Sequence, residues 1–176
     1  MAYTSPFNIQ KWIDENRHQL KPPVGNKQIW TDTGDFIVMV VGGPNSRTDY
    51  HYNESEEFFY QLEGDMVLRT QQDGKAVDVP IRQGDIYLLP AKVPHSPQRP
   101  ANTVGIVIEK VRQTGMTDGL LWFCSECNEK LYEEYFFMTD IATQMQPVFA
   151  KYYASKDFRT CKKCGTVMDV PEKYKK

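Results

Sequence analysis

Residues 47–64 read "RTDYHYNESEEFFYQLEG". Alternate residues of a strand share a face, so Arg47, Asp49 and His51 point one way and Thr48 and Tyr50 the other. After the turn-prone "YNES", Glu57, Phe59 and Gln61 form a second row, and Phe59 marks its side as the interior. A buried carboxylate or guanidinium without a partner costs on the order of several kcal/mol. These groups therefore pair with each other, with a metal or with a ligand. Spacing alone leaves an internal salt-bridge network as open as a functional site.

Residues 84–100, "GDIYLLPAKVPHSPQRP", bear on that choice. A strand leads into His95, held extended between Pro94 and Pro97, because a residue before proline is pushed out of the helical region. His95 and Arg99 then look the same way. Two of the three histidines fall in these polar stretches, and the third, His18, sits off the apolar stripe of an N-terminal helix and reads as a surface residue.

The flanking sequence places both stretches in a small β fold. Ile9, Trp12, Ile13 and Leu20 have helical spacing, and "KPPVGN" ends that helix. From there to about residue 112 come "FIVMVVGG", "EFFYQLEG", "MVLRT", "AVDVPI", "DIYLLP" and "TVGIVIEKV", with "QQDGK" as a hairpin turn. Six or more short strands without intervening helices predict a mainly β antiparallel barrel or jelly roll. After "RQTGMTDG" the text changes to a cysteine pair, an aromatic segment, the helix-prone "DIATQMQPVFAKYYAS", expected to divide at Pro147, and a second cysteine pair. The expected division is a catalytic domain over 1–118 and a tail over 119–176.

The chain of 176 residues with a formal net charge of −2 carries no global basic field, so nucleic acid and membrane are not expected partners. No apolar run suits a signal peptide or a membrane span, and the expected location is cytoplasmic.

The two polar stretches resemble the paired motifs of the cupin superfamily. Gly43, Asp49, His51, Glu57 and Gly64 match the first, with Asp49 in place of a histidine. Gly84, Pro90, Lys92, His95 and Arg99 match the second, with Lys92 and Arg99 as departures. What remains is His51, Glu57 and His95, a two-histidine, one-carboxylate set associated with non-haem iron(II) and oxygen chemistry. "KPPVGN", the first motif, "LLPAKVPHSPQRP" and "GIVIEK", followed by two CxxC pairs, more closely resemble the 3-hydroxyanthranilate 3,4-dioxygenase family in its shorter, microbial form. That resemblance implies ring opening of 3-hydroxyanthranilate by O2 to 2-amino-3-carboxymuconate semialdehyde, precursor of quinolinate on the route from tryptophan to NAD. It also implies catalytic iron(II) on His51, Glu57 and His95, and a homodimer. Arg99 is expected to take the substrate carboxylate, with Arg47 supporting it or facing oxygen. Glu109 is expected to hydrogen-bond the substrate's metal-binding groups and move a proton. Asp49 is expected to orient a neighbour, with ligation as the alternative that its motif position leaves open. Val24, Asn26, Phe59 and Pro97 are candidate pocket walls.

Cys124, Cys127, Cys161 and Cys164 form CxxC, 33 residues, CxxC. Each pair can wrap one edge of a tetrahedral site, with Asn128 and Gly165 where such knuckles need left-handed backbone. The expectation is a structural iron or zinc with no open position. Two rival readings stand beside the dioxygenase. One is another cupin metalloenzyme, an isomerase or a dioxygenase of a different aromatic acid. The other is a ligand-sensing cupin joined to a nucleic-acid-binding zinc ribbon, suggested by the basic end "RTCKKCGTVMDVPEKYKK" and opposed by the acidic "CNEKLYEEYFF".

Overall fold

The computed structural model describes residues 5–21, 25–32, 34–139 and 141–175; Val24 lies outside them. Helix α1 (Ile9–Asn16) precedes strands β1 (Asn26–Gln28), β2 (Phe36–Gly42), β3 (Asp49–Tyr52), β4 (Glu57–Glu63), β5 (Met66–Gln72), β6 (Lys75–Ile81), β7 (Ile86–Leu89), β8 (His95–Gln98), β9 (Val104–Lys110), β10 (Asp118–Phe123) and β11 (Lys130–Phe136). Helices α2 (Ile141–Ala154) and α3 (Lys156–Arg159) follow. Two antiparallel sheets result, ordered β1-β2-β9-β4-β7 and β11-β10-β3-β8-β5-β6. This is the mainly β, jelly-roll architecture expected from the strand text.

The local chemistry explains the register. Asp73 and Gly74 both have positive φ (49° and 75°) between β5 and β6, the two-residue turn that suits the right-handed twist of a hairpin. Inward residues alternate as predicted: Glu57, Phe59 and Gln61 on β4 are buried, and the register sets them opposite Glu109, Val107 and Gly105 of β9. Met39, Phe59, Met66, Leu68, Ile81, Leu89 and Val107 fill one end of the barrel. Helix α1 closes an outer face by setting Ile13 on Val40 and Val104, and Arg17 ties it to Glu63 at 2.7 Å. His18 is exposed, as expected.

Two features depart from the sequence reading. The expected division at 118 falls inside β10, which pairs with β3 through Leu120↔His51 and Trp122↔Asp49. Strands β10 and β11 thus extend the second barrel sheet. The run "DGLLWF" lacks alternation because both of its faces are covered, so it gives no period-2 signal. The second correction concerns Pro147, which does not divide the helix: α2 runs through it. Proline removes one donor, and burial of Met145, Val148, Phe149, Tyr152 and Tyr153 with Leu120 and Trp122 of β10 outweighs that loss. The break comes instead at Ser155, whose extended backbone and side-chain oxygen, accepting from Phe158 N at 3.2 Å, cap α3.

Candidate metal centre and its surroundings

Strands β3, β4 and β8 bring His51, Glu57 and His95 together; their potential ligand atoms all lie within 4.8 Å of one another. His51 pairs directly with His95 across β3 and β8, and β4 closes over them from the facing sheet. Glu57 Oε1 lies 3.2 Å from His95 Nε2 and 3.6 Å from His51 Nδ1, and accepts a hydrogen bond from Asn53 Nδ2 at 2.7 Å. His95 Nδ1 lies 3.0 Å from the Val93 carbonyl, which only a donor can satisfy. That leaves Nε2, the nitrogen available to a metal, toward Glu57. His51 Nε2 lies 2.7 Å from Asp118 Oδ1, which leaves Nδ1 toward the cluster. Both rings are held by a partner behind them, the arrangement that orients metal-ligating histidines.

Electrostatics fit a cation here. Burial pushes Glu57 up, but the two imidazoles outweigh it and hold the carboxyl well below its usual range. Burial pushes His51 down, but hydrogen bonds to Asp118 and Glu57 outweigh that and raise it to about 9 in the metal-free protein. With its carboxylate held ionised between two imidazoles, Glu57 offers the negative charge that a divalent cation would neutralise. Two imidazole nitrogens and a carboxylate oxygen are the donor set of a facial triad with open positions. The residues present fit such a metal.

Around the triad the inner face is polar in an ordered way. Asp49 stays outside the ligand group and instead takes the Arg47 guanidinium, with Arg47 Nε 3.1 Å from Oδ2 and a closer contact from Nη2. Glu109 contacts Arg112 Nη1, while Arg112 Nη2 reaches Asp118 Oδ1 at 2.6 Å. Burial and the charge of Glu57 push the Glu109 carboxyl up, against the pull of Arg112. A continuous buried chain therefore runs His51, Asp118, Arg112, Glu109. Arg99 is 4% exposed, and burial lowers its pKa to about 10. Among the described residues no ion pair joins it.

Of the candidate walls, Phe59 stands edge-on to His95, with ring centroids 6.5 Å apart. Pro97 lies opposite Leu68 on the inward side of β8. Asn26 is exposed on the edge strand β1, opposite Val41. The sequence reading missed Asp118, Arg112 and Asn53. Asn53 was absorbed into a turn, and Asp118 was lost with β10. Asp118, Leu120 and Trp122 share the face of His51, a placement that only the register with β3 reveals.

The four cysteines also converge. Cys124 Sγ to Cys164 Sγ, Cys127 to Cys161 and Cys127 to Cys164 are each 3.5 Å, far beyond the ~2.05 Å of a disulfide and near the edge of a thiolate tetrahedron around one ion. Asn128 (φ 58°) and Gly165 (φ 79°) adopt the expected left-handed backbone, and their N–H groups donate to the carbonyls of Cys124 and Cys161. The first knuckle docks on the β5–β6 hairpin through paired amides of Asn128 and Gln71, each bond 2.9 Å.

The family described as "3-hydroxyanthranilic acid dioxygenase" matches residues 1–153. The chain is 57% identical over 169 residues to the 3-hydroxyanthranilate 3,4-dioxygenase of Xanthomonas oryzae pv. oryzae, covering 96% of this chain and 95% of that protein. It is 52% identical over 168 residues to the protein of the same name from Ruegeria pomeroyi, covering 95% and 93%. Among solved structures it is similar to a cupin-2 domain containing protein from Shewanella frigidimarina, with 17% identity and a TM-score of 0.42 over 49% of this chain and 79% of that one.

Proposed function

The chain belongs to the 3-hydroxyanthranilic acid dioxygenase family, and on that premise we propose that it opens the ring of 3-hydroxyanthranilate with O2, using iron(II) held by His51, Glu57 and His95. The product is 2-amino-3-carboxymuconate semialdehyde, precursor of quinolinate in NAD biosynthesis from tryptophan. One observation carries the reading: an oxygen-chemistry donor set shares a barrel interior with a buried guanidinium that has no carboxylate of its own.

Iron bound there supplies a common centre for the aromatic ring and dioxygen, which do not readily react unaided. The chain's residues do the rest. Arg99 binds the substrate carboxylate; a charge-assisted bond of this kind contributes roughly 1.5 to 3 kcal/mol. Glu109, raised by burial beside Glu57, takes the proton that the substrate's hydroxyl gives up and holds it on its carboxylate oxygen. Arg112 keeps that carboxylate aimed inward. Asp49 fixes Arg47 beside the site, where the guanidinium supports substrate or oxygen binding. Phe59 gives the ring an apolar wall and Pro97 borders it, with Asn26 at the rim.

The second site, Cys124, Cys127, Cys161 and Cys164, is assigned to a structural iron or zinc. We also assign the chain a cytoplasmic location and no nucleic-acid partner. Two observations bear on this: no helix among the described residues is long and apolar enough to cross a membrane, and Trp122, Tyr132, Phe149, Tyr152, Tyr153 and Phe158 of the tail are taken up in packing on one another. A homodimer is supported by the outer face of the first sheet. Phe36, Ile86 and Leu88 are 51%, 67% and 54% exposed there, beside Phe58 and Tyr60. A contiguous apolar face of this kind marks an interface.

The substrate assignment is checked by oxygen uptake of the iron-loaded protein with 3-hydroxyanthranilate, 2-aminophenol and 3-hydroxybenzoate. The expected order places 3-hydroxyanthranilate first by at least about tenfold in kcat/KM, because only it offers every group the site addresses. Equal rates for all three would overturn the assignment.

A further inference from the structure

Two guanidiniums other than that of Arg99 are buried or half-buried in the barrel, and both have carboxylates: Arg47 on Asp49, and Arg112 on Asp118 and Glu109. Arg99 differs. Its Nη1 donates to the side-chain carbonyl of Gln61 at 2.8 Å, and its Nε is buried without a partner. A neutral acceptor orients a cation without cancelling its charge, whereas a carboxylate at the same distance would do both.

Gln61 is built to present its oxygen. It is 1% exposed, and its amide Nε2 donates to the Glu63 carbonyl at 3.0 Å, which fixes which end of the amide faces Arg99. Its backbone is pinned on both sides, N–H to the Asp85 carbonyl at 3.0 Å and carbonyl from Gly84 N–H at 2.8 Å. The Arg99 backbone is fixed in turn by two 2.8 Å bonds to Asn45. Opposite Gln61 stands Gly105, where an added Cβ would come within 2.7 Å of Gln61 Oε1 and 3.0 Å of Arg99 Nη1. On that side the pair leaves no room for a side chain at position 105.

We propose that Gln61 is a positioning residue that holds Arg99 as an uncompensated cation and thereby sets the preference for a carboxylate-bearing aromatic substrate. The proposal rests on the reading that Arg99 receives the substrate carboxylate. It states why residue 61 is an amide: the near-isosteric glutamate would hold Arg99 equally well and consume the charge the substrate needs. The substrate carboxylate takes the donors that Gln61 leaves open, and discrimination against neutral analogues follows from an otherwise unpaired buried cation.

The test compares anaerobic dissociation constants of 3-hydroxyanthranilate and 2-aminophenol, which lacks the carboxylate, for the iron-loaded protein and its variants. Gln61→Glu is expected to weaken 3-hydroxyanthranilate about 10- to 100-fold and to leave 2-aminophenol within about twofold. Gln61→Met, which removes the acceptor without adding charge, is expected to weaken the acid severalfold and to carry the test should the glutamate variant fail to fold. Arg99→Met separates the two readings. If it weakens the acid alone while folded Gln61 variants change nothing, Arg99 binds the carboxylate and Gln61 has no positioning role. If Arg99→Met itself leaves the acid unchanged, the underlying assignment of Arg99 fails. Equal weakening of both ligands by a Gln61 variant would mean general disturbance of the pocket and would overturn the proposal.

Discussion

The barrel centre and the cysteine tail each gather metal-ligand atoms, yet they are built in opposite ways. The triad uses three donors on three strands, two of them imidazoles braced from behind by Asp118 and the Val93 carbonyl. The tail uses four like donors from two knuckles, and no donor position is left open. A metal held by the first would keep open positions for reactants. A metal held by the second would spend its whole coordination shell in joining two loops. Open coordination on rigid strands goes with reaction; closed coordination between loops goes with stability.

The largest effect that could break this contrast is loss of Glu57. Glu57→Ala is expected to abolish oxygen uptake and to release barrel iron, while the tail retains its metal; metal analysis of both sites beside activity checks it. Cys124→Ser is expected to act in reverse. Tail metal is lost and thermal unfolding begins earlier, because structural thiolate sites contribute on the order of 10 kcal/mol, while barrel iron persists. Thermal melting with metal analysis checks that outcome. Arg99→Lys is expected to keep both metals and raise KM about 10- to 100-fold, since an ammonium does not reproduce the planar fork. Steady-state kinetics would show it.

Asp118→Asn probes the brace behind His51. Chelator competition is expected to show iron held about 10- to 100-fold less tightly. In the metal-free protein the same contact has a pH signature. His51 is raised above its unfolded value of about 6.5 to about 9. Its contribution to stability is therefore complete below the unfolded pKa and is lost as pH rises through the folded one. Stability of the metal-free protein from near neutrality to pH 9 should fall less steeply in Asp118→Asn, as denaturant titration would report. The smallest expected effect is Asn128→Ala, about 1 kcal/mol from left-handed backbone and the lost amide bonds to Gln71.

How much of this was legible in the sequence depended on whether polar residues alternated with apolar ones. The rows Arg47–Asp49–His51 and Glu57–Phe59–Gln61 announced both strand and facing because each had a polar signature on a defined face. The CxxC spacing announced the knuckles. Strand β10 was not legible, since both of its faces are buried, one of them against α2, which leaves an unpatterned apolar run. With it went Asp118, whose role exists only through a cross-strand neighbour 67 residues away in sequence. Pro147 misled because propensity weighs one lost hydrogen bond and cannot weigh the aromatic packing that retains the helix.

The most direct test of the account is a single-turnover experiment. Protein loaded anaerobically with iron(II) is mixed with 3-hydroxyanthranilate and labelled dioxygen, and the ultraviolet spectrum and product mass are followed. The account predicts one dioxygen consumed per ring opened, both oxygen atoms in a transient semialdehyde, and decay of that species to quinolinate. Folded, iron-loaded protein that binds 3-hydroxyanthranilate yet consumes no oxygen would contradict it.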